Sequence, residues 1–208
     1  MKLYLSSFHL GDRAKEFADM VSGDRRVGVI RNSLDTSTDY ERLRRGQEQE
    51  FEDLQAIGLN PESIDLREFF ENQNDLRGVV DSFDALWVVG GNTFVLRRAM
   101  QQSGFDAILL DKVEDERFVY GGYSAGICVL TPNLDGIHLV DDPDVVPEGY
   151  SDETIWEGLG IVPFSIAPHY RSDHPESEMI EKSVEYFIEN KIPFIALRDG
   201  DVYTGDTH

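Results

Sequence analysis

Residues 117–130 read RFVYGGYSAGICVL. An apolar run with β-branched and aromatic side chains, RFVYG, leads into glycines and then into AGICVL, which is apolar enough to start a buried helix. Within it, Gly122-Tyr123-Ser124-Ala125-Gly126 has the Gly-x-Ser-x-Gly form of a nucleophile elbow. Glycines two residues before and after the serine leave room for a sharply turned backbone, so that the hydroxyl points away from the sheet at the mouth of a helix. Free N–H groups at a helix start also favour a negative oxygen. The plainer alternative is a glycine-rich turn whose serine caps the helix, and the motif alone leaves both readings open.

Working outward, short apolar runs alternate with longer polar stretches of helical period, the pattern of an α/β layer fold with a largely parallel sheet. Seven runs are strand candidates: KLYLSS, RVGVIRNS, SIDLREF, ALWVVGG, RFVYGG, GIVPFSIAPHY and PFIALRDGDVY. Asp39 to Ile57 predicts a surface helix with Leu43, Phe51, Leu54 and Ile57 at roughly helical spacing, stopped by Gly58. Pro175 to Asn190 predicts another, with proline and acids in its first turn and Met179, Ile180, Val184, Phe187 and Ile188 on one side. Residues 131–158 are too polar and turn-rich for core, and a loop of that length is usually functional or carries short strands of its own. No repeat or linker divides the chain, so residues 1–208 are expected to form one domain.

Composition narrows the function. There are 40 acidic against 19 basic residues, a formal charge of −21, and self-repulsion opposes binding to nucleic acid or to an anionic membrane. Such an acid-rich, lysine-poor surface would suit a high-salt cytoplasm, where screening weakens the repulsion. No apolar run approaches the length of a membrane span, and no signal-peptide pattern opens the chain. The single cysteine, Cys128, rules out an internal disulfide and a Cys-x-x-Cys knuckle, as expected of a cytoplasmic protein. Neither a metal nor an organic cofactor is expected.

A serine hydroxyl needs a base, usually an imidazole within hydrogen-bond reach. Of the five histidines, His169 is placed best, because IVPFSIAPHY is an apolar strand ending at Pro168-His169 and sites in open α/β sheets form at the carboxyl ends of strands. His174 starts the next helix and reads as surface; His9, His138 and the terminal His208 are placed less well. A carboxylate must then orient the base. Asp199, in IALRDGDV, follows an apolar strand, and Asp141, in HLVDDPD, lies in the irregular segment; both remain candidates. In ALWVVGGNTFVL a strand runs into Gly90-Gly91-Asn92-Thr93, where the N–H of Gly91, with that of Ala125, could receive an oxyanion. Asn92 or Thr93 could equally be a helix cap. Neither a dinucleotide fingerprint nor a phosphate-binding loop occurs.

Taken in order, GGNTF, GGYSAG, APHY and LRDG resemble the peptidase E family of serine peptidases, the aspartyl dipeptidases, among whose relatives is cyanophycinase. The likeness covers nearly the whole chain and extends to peptidase E-like and type 1 glutamine amidotransferase-like proteins through GLGIVPFSIAPHY, SDHPES and ALRDG. It implies a three-layer α/β/α sandwich with a mostly parallel sheet, related to class I glutamine amidotransferases but with serine in place of the amidotransferase cysteine. It further implies Ser124 as nucleophile, His169 as base, Asp199 as acid with Asp141 as the alternative, and Gly91 and Ala125 as oxyanion donors. The dipeptidases carry a Gly-Glu-Thr-Arg segment after the histidine, absent here, which puts specificity for N-terminal aspartate in doubt; Arg171 is the nearest cation, and with Asn92 it is the candidate substrate contact.

The reading is a serine hydrolase of short peptides, with a small peptide as partner and a homodimer left open. Its rivals are a cyanophycinase-like hydrolase of Asp-Arg linkages and a catalytically silent binding domain. A glutamine amidotransferase is weakest, since Cys128 lies four residues past the elbow serine.

Overall fold

The computed structural model describes residues 1–71 and 75–207, so His208 lies outside it. Six strands form one sheet in the order β3-β2-β4-β5-β1-β8. They are β1 (Lys2–Ser6), β2 (Arg26–Ile30), β3 (Asn60–Ile64), β4 (Ala85–Val88), β5 (Val119–Tyr123) and β8 (Val202–Asp206). All neighbours are parallel except β8, which runs antiparallel to β1 at the edge. A separate parallel pair joins β6 (Ser165–Ala167) to β7 (Phe194–Ala196).

Alternation along the strands supplies two cores. Leu3, Leu5, Ile30, Leu86, Val88 and Tyr120 face one side of the sheet. There they meet α3 (Leu76–Asp81), α4 (Thr93–Ser103) and α5 (Phe105–Asp111), through Val80, Leu96, Met100 and Leu109. Tyr4, Val27, Val29, Ala85, Trp87 and Val119 face the other side, against Phe17 of α1 (Ala14–Met20) and Leu54 of α2 (Tyr40–Ala56). Helices on both faces of a mostly parallel sheet make the expected α/β layers. A third cluster lies under α7 (Ser177–Glu189), where Ile180, Val184 and Phe187 cover Ala167 of β6 and Cys128.

Both predicted amphipathic helices form, as α2 and α7. Three expectations are corrected. The run Ser63–Phe69 is not a strand: pairing ends at Ile64 and a 3₁₀ turn covers Leu66–Phe69, because the Asn32 Oδ1 and Asp65 Oδ1 acceptors take the Leu66 and Arg67 N–H groups. The last apolar run is two strands, broken by Arg198-Asp199-Gly200-Asp201 and lying in different sheets. The helix after the elbow, α6 (Ala125–Cys128), is a single turn, so its dipole adds little at Ser124.

Residues 131–158 form turns, the 3₁₀ turn Ile137–Leu139 and one bridge between Asn133 and Glu157. They are held by two buried arginines of α4. Arg98 donates to the carbonyls of Pro143, Val145 and Glu153 and to Thr154 Oγ1, and Arg97 donates to the Glu157 carbonyl while pairing with Asp106 at 3.2 Å. The arginines satisfy carbonyls that a loop buried against a helix would otherwise leave without partners.

Candidate active site

Strand register gathers the site. Ser6 of β1 pairs with Tyr123, Gly122 with Val88, and Val88 with Ile30, so Ser7, Ser124, the Gly90-Gly91 loop and Arg31 all emerge at the carboxyl edge of the parallel sheet. Across the small sheet Ala167 pairs with Ala196, which brings His169 and Asp199 out side by side.

Each elbow glycine has a reason. A Cβ at Gly126 would lie 2.1 Å from the Val88 carbonyl oxygen, and one at Gly122 would lie 2.7 Å from it. Ser124 sits at φ 48 and ψ −118, a conformation that costs a non-glycine residue about 1–3 kcal/mol and turns its side chain into the pocket. Its hydroxyl makes no helix-capping bond. A Cβ at Gly90 would lie 2.9 Å from that of Ser124, so the glycine loop runs directly beside the serine. Ser33 supports the loop by donating to the Val89 and Gly90 carbonyls and accepting the Asn92 N–H on its own carbonyl. Gly91, at φ 143, could not carry a side chain without meeting that carbonyl at 2.6 Å.

His169 is 1% exposed. Its Nδ1 lies 2.7 Å from Asp199 Oδ1; the carboxylate accepts that proton, which leaves Nε2 as an acceptor toward the pocket. Burial pulls the imidazole below its ordinary pKa, outweighing the upward pull of Asp199, with His174 adding to the lowering. A neutral imidazole is the form a base requires.

Ser7 is the residue that sequence reasoning missed. Fully buried, its hydroxyl accepts the backbone N–H of His169 at 2.7 Å and donates to Asp199 Oδ1 at 2.9 Å, so it ties the two residues together. Ser172 Oγ accepts the Asp199 N–H at 2.8 Å. Nothing in SSFHL distinguishes Ser7 from Ser6; its placement comes from the end of β1 lying against residues 197–201, which join β7 to β8. Glu176 was also missed: Oε2 lies 3.9 Å from His169 Nε2, and burial followed by the Asp199 charge pushes its carboxyl up.

Other candidates fall elsewhere. Asp141 is not the carboxylate paired with His169: it accepts the Thr93 N–H at the start of α4, and burial raises its pKa to about 6. Asn92 is spent within the chain, its Oδ1 capping α4 at Val95 N and its Nδ2 donating to the Asp142 carbonyl. Arg171 lies over the Tyr170 ring, 3.8 Å from Glu181, and does not line the pocket. His174 is not free surface but stacks on His169, with centroids 3.7 Å and planes 7° apart. His138 packs against Trp156 and Tyr186, while His9 opens on the pocket near Glu50, at 3.7 Å. The buried Cys128 thiol, pushed well up by burial, faces the Ile166 carbonyl.

The pocket in front of Ser124 has a volume of about 390 Å³, enough for a small ligand. Its walls include His169, Glu176, Gly91, Tyr123, Arg31 and Arg42. Among the described residues, His169, His174 and Glu176 form one group whose ligand atoms lie within 4.8 Å of one another and could hold a metal ion. With the two ring planes 7° apart and stacked, an ion could lie in the plane of only one of them, so gripping it would require the other ring to tilt.

The fold and site define the class: a layered α/β protein with a serine on a strained elbow at the edge of the large sheet and a His–Asp pair brought to the same pocket from the small one. The comparisons then give the family. The model of Peptidase family S51 matches residues 36–205, and the chain belongs to that family. It is 34% identical over 142 residues to a peptidase E of Streptomyces coelicolor, spanning 66% of this chain and 54% of that protein. A probable α-aspartyl dipeptidase of Drosophila melanogaster is 30% identical over 152 residues, 71% of this chain and 58% of its own. The chain thus spans little more than half the length of these curated relatives. In fold it is similar to a solved Listeria monocytogenes protein assigned to peptidase E, with a TM-score of 0.72 at 24% identity over 99% of this chain and 98% of that one. A solved peptidase from an acI-B1 Actinobacterium aligns with a TM-score of 0.70 at 13% identity, over 99% and 83%.

Proposed function

We propose that this chain is a serine-type peptidase of short peptides, acting through an acyl-enzyme. The observation that carries the reading is the His169 Nδ1 to Asp199 contact of 2.7 Å at the edge of the pocket that Ser124 enters. In this mechanism Ser124 Oγ attacks the peptide carbonyl carbon as its proton passes to His169 Nε2, and the new oxyanion is received by the Gly91 and Ala125 N–H groups. Asp199 holds the imidazolium. The C–N bond breaks as Nε2 returns the proton to the departing amine. Water, deprotonated by the same nitrogen, then cleaves the ester and restores the serine.

The peptidase E and aspartyl dipeptidase names of the relatives support a peptide substrate. The pocket wall carries Glu50 and Glu176 as well as Arg31 and Arg42, so its charge does not choose between an Asp-Arg linkage and another short peptide, and the names of the relatives carry the preference. The test is turnover of a dipeptide library by the wild type and by Ser124→Ala. Hydrolysis that the substitution lowers by about a thousandfold or more supports the reading; hydrolysis that survives it, or none in either protein, contradicts it.

A further inference from the structure

We infer that Arg31 is an anion anchor: its guanidinium binds a carboxylate of the ligand that occupies the Ser124 pocket, and Gly46 on α2 is the space that admits it. Calling that ligand a substrate rests on the proposed peptidase activity; the anchor itself does not.

Arg31 follows β2 directly, at the same sheet edge as Ser124 and Gly91, and lines the same pocket. In a chain with 40 acidic residues, its neighbours Arg26, Arg44 and Arg67 each pair with carboxylates, yet Arg31 has no acid within 4.0 Å among the described residues. Among the described residues its side chain makes one hydrogen bond, Nη1 to Gln47 Oε1 at 3.3 Å, and its buried Nε has no partner. A guanidinium offers five N–H donors in a planar fork that matches a carboxylate. Leaving them unused in a part-buried site is unfavourable, and a bound carboxylate supplies the missing acceptors. Burial lowers the Arg31 pKa, with Tyr123, Glu50 and Asp35 pulling it back up, so the group stays cationic at neutral pH.

Gly46 is an independent sign. It stands inside the 17-residue helix α2, away from both ends, where glycine is the worst residue after proline. A Cβ there would lie 3.2 Å from Arg31 Nη2, and Gly46 lines the same pocket. The helix gives up a side chain where the guanidinium passes. One turn earlier, Arg42 is exposed on the pocket wall with no ion pair among the described residues, a second cation at the mouth.

The carboxylate could be the free C-terminus of a short peptide or an acidic side chain, and two probe pairs separate these. Titration calorimetry on Ser124→Ala, which cannot consume the probes, compares Ala-Ala with its C-terminal amide, and Asp-Ala amide with Asn-Ala amide. The anchor predicts that the carboxylate member of one pair binds about tenfold or more tighter. The first pair assigns a terminal carboxylate and the second a side chain. Adding Arg31→Gln should abolish that difference. Adding Gly46→Ala, which improves the helix, should shrink it without lowering the thermal midpoint, and this decides the matter if Arg31→Gln folds poorly. No carboxylate preference in either pair, an absence of binding included, or a preference that persists in a folded Arg31→Gln protein overturns the anchor. Fluorophosphonate labelling of the wild type runs alongside: failure to label Ser124 counts against the peptidase reading, while the calorimetry still decides the anchor.

Discussion

At the scale of single residues, the site depends on side chains whose meaning the sequence conceals. Ser124 and His169 were legible because one is spaced between Gly122 and Gly126 and the other follows Pro168, each at the end of an apolar run. Asp199 was legible only as one of two acids, and the choice fell to parallel pairing of β6 with β7, which short strands of three residues do not advertise. Ser7 and Arg31 had no local signal at all; both matter because of which strands they follow. In the proposed mechanism Ser7 is a positioning residue, acting through its bonds to His169 and Asp199. Ser7→Ala should lower kcat about tenfold with KM little changed. It should also move the acid limb of the pH–kcat/KM profile, since the Asp199 carboxylate loses a donor; an unchanged profile would mean that Ser7 merely fills space.

At the scale of elements, glycine placement separates the residues the fold requires from those it tolerates. Gly126→Ala drives a Cβ into the backbone of β4, with Val88 carbonyl oxygen at 2.1 Å, and neither strand nor elbow can yield cheaply. Gly78 of α3 has nothing within 4 Å of its would-be Cβ. Urea unfolding should show Gly126→Ala destabilised by about 2 kcal/mol or more and Gly78→Ala stabilised by up to about 1 kcal/mol. Equal effects would contradict the packing at the elbow. Period and apolar runs sufficed for α2, α7 and the central strands. They failed at Ser63–Phe69, where Ile64 and Leu66 alternate as in a strand while Leu66 and Phe69 stand three apart as in a 3₁₀ turn, and side-chain acceptors decided. They failed again after Ala196, where one apolar run serves two sheets.

For the whole molecule, the formal charge of −21 sits against a pocket whose wall carries Arg31 and Arg42. Like-charge repulsion across the surface opposes the compact state, and about 1 M salt shortens its reach from about 10 Å to about 3 Å. The urea midpoint should therefore rise as sodium chloride goes from about 0.1 to about 1 M; a flat or falling midpoint would show that the acids are locally compensated. The α/β layering with a largely parallel sheet was readable from alternating apolar runs and polar helices, while its three-layer form came from the family resemblance. The convergence of five strand ends, from two sheets, on one pocket was not legible, because register is a property of pairs of strands and not of any one of them.

The central claim is that His169 activates Ser124. The most direct measurement is the rate of fluorophosphonate attachment to Ser124 as a function of pH, read by mass, in the wild type and in His169→Ala. Because burial lowers the His169 pKa, the imidazole stays neutral, and so competent, to lower pH than an exposed one. The account predicts one adduct on Ser124, a rate that falls on acidification with a midpoint below 6.5, and a loss of about a hundredfold or more in His169→Ala. No adduct, or a rate indifferent to His169, would contradict it.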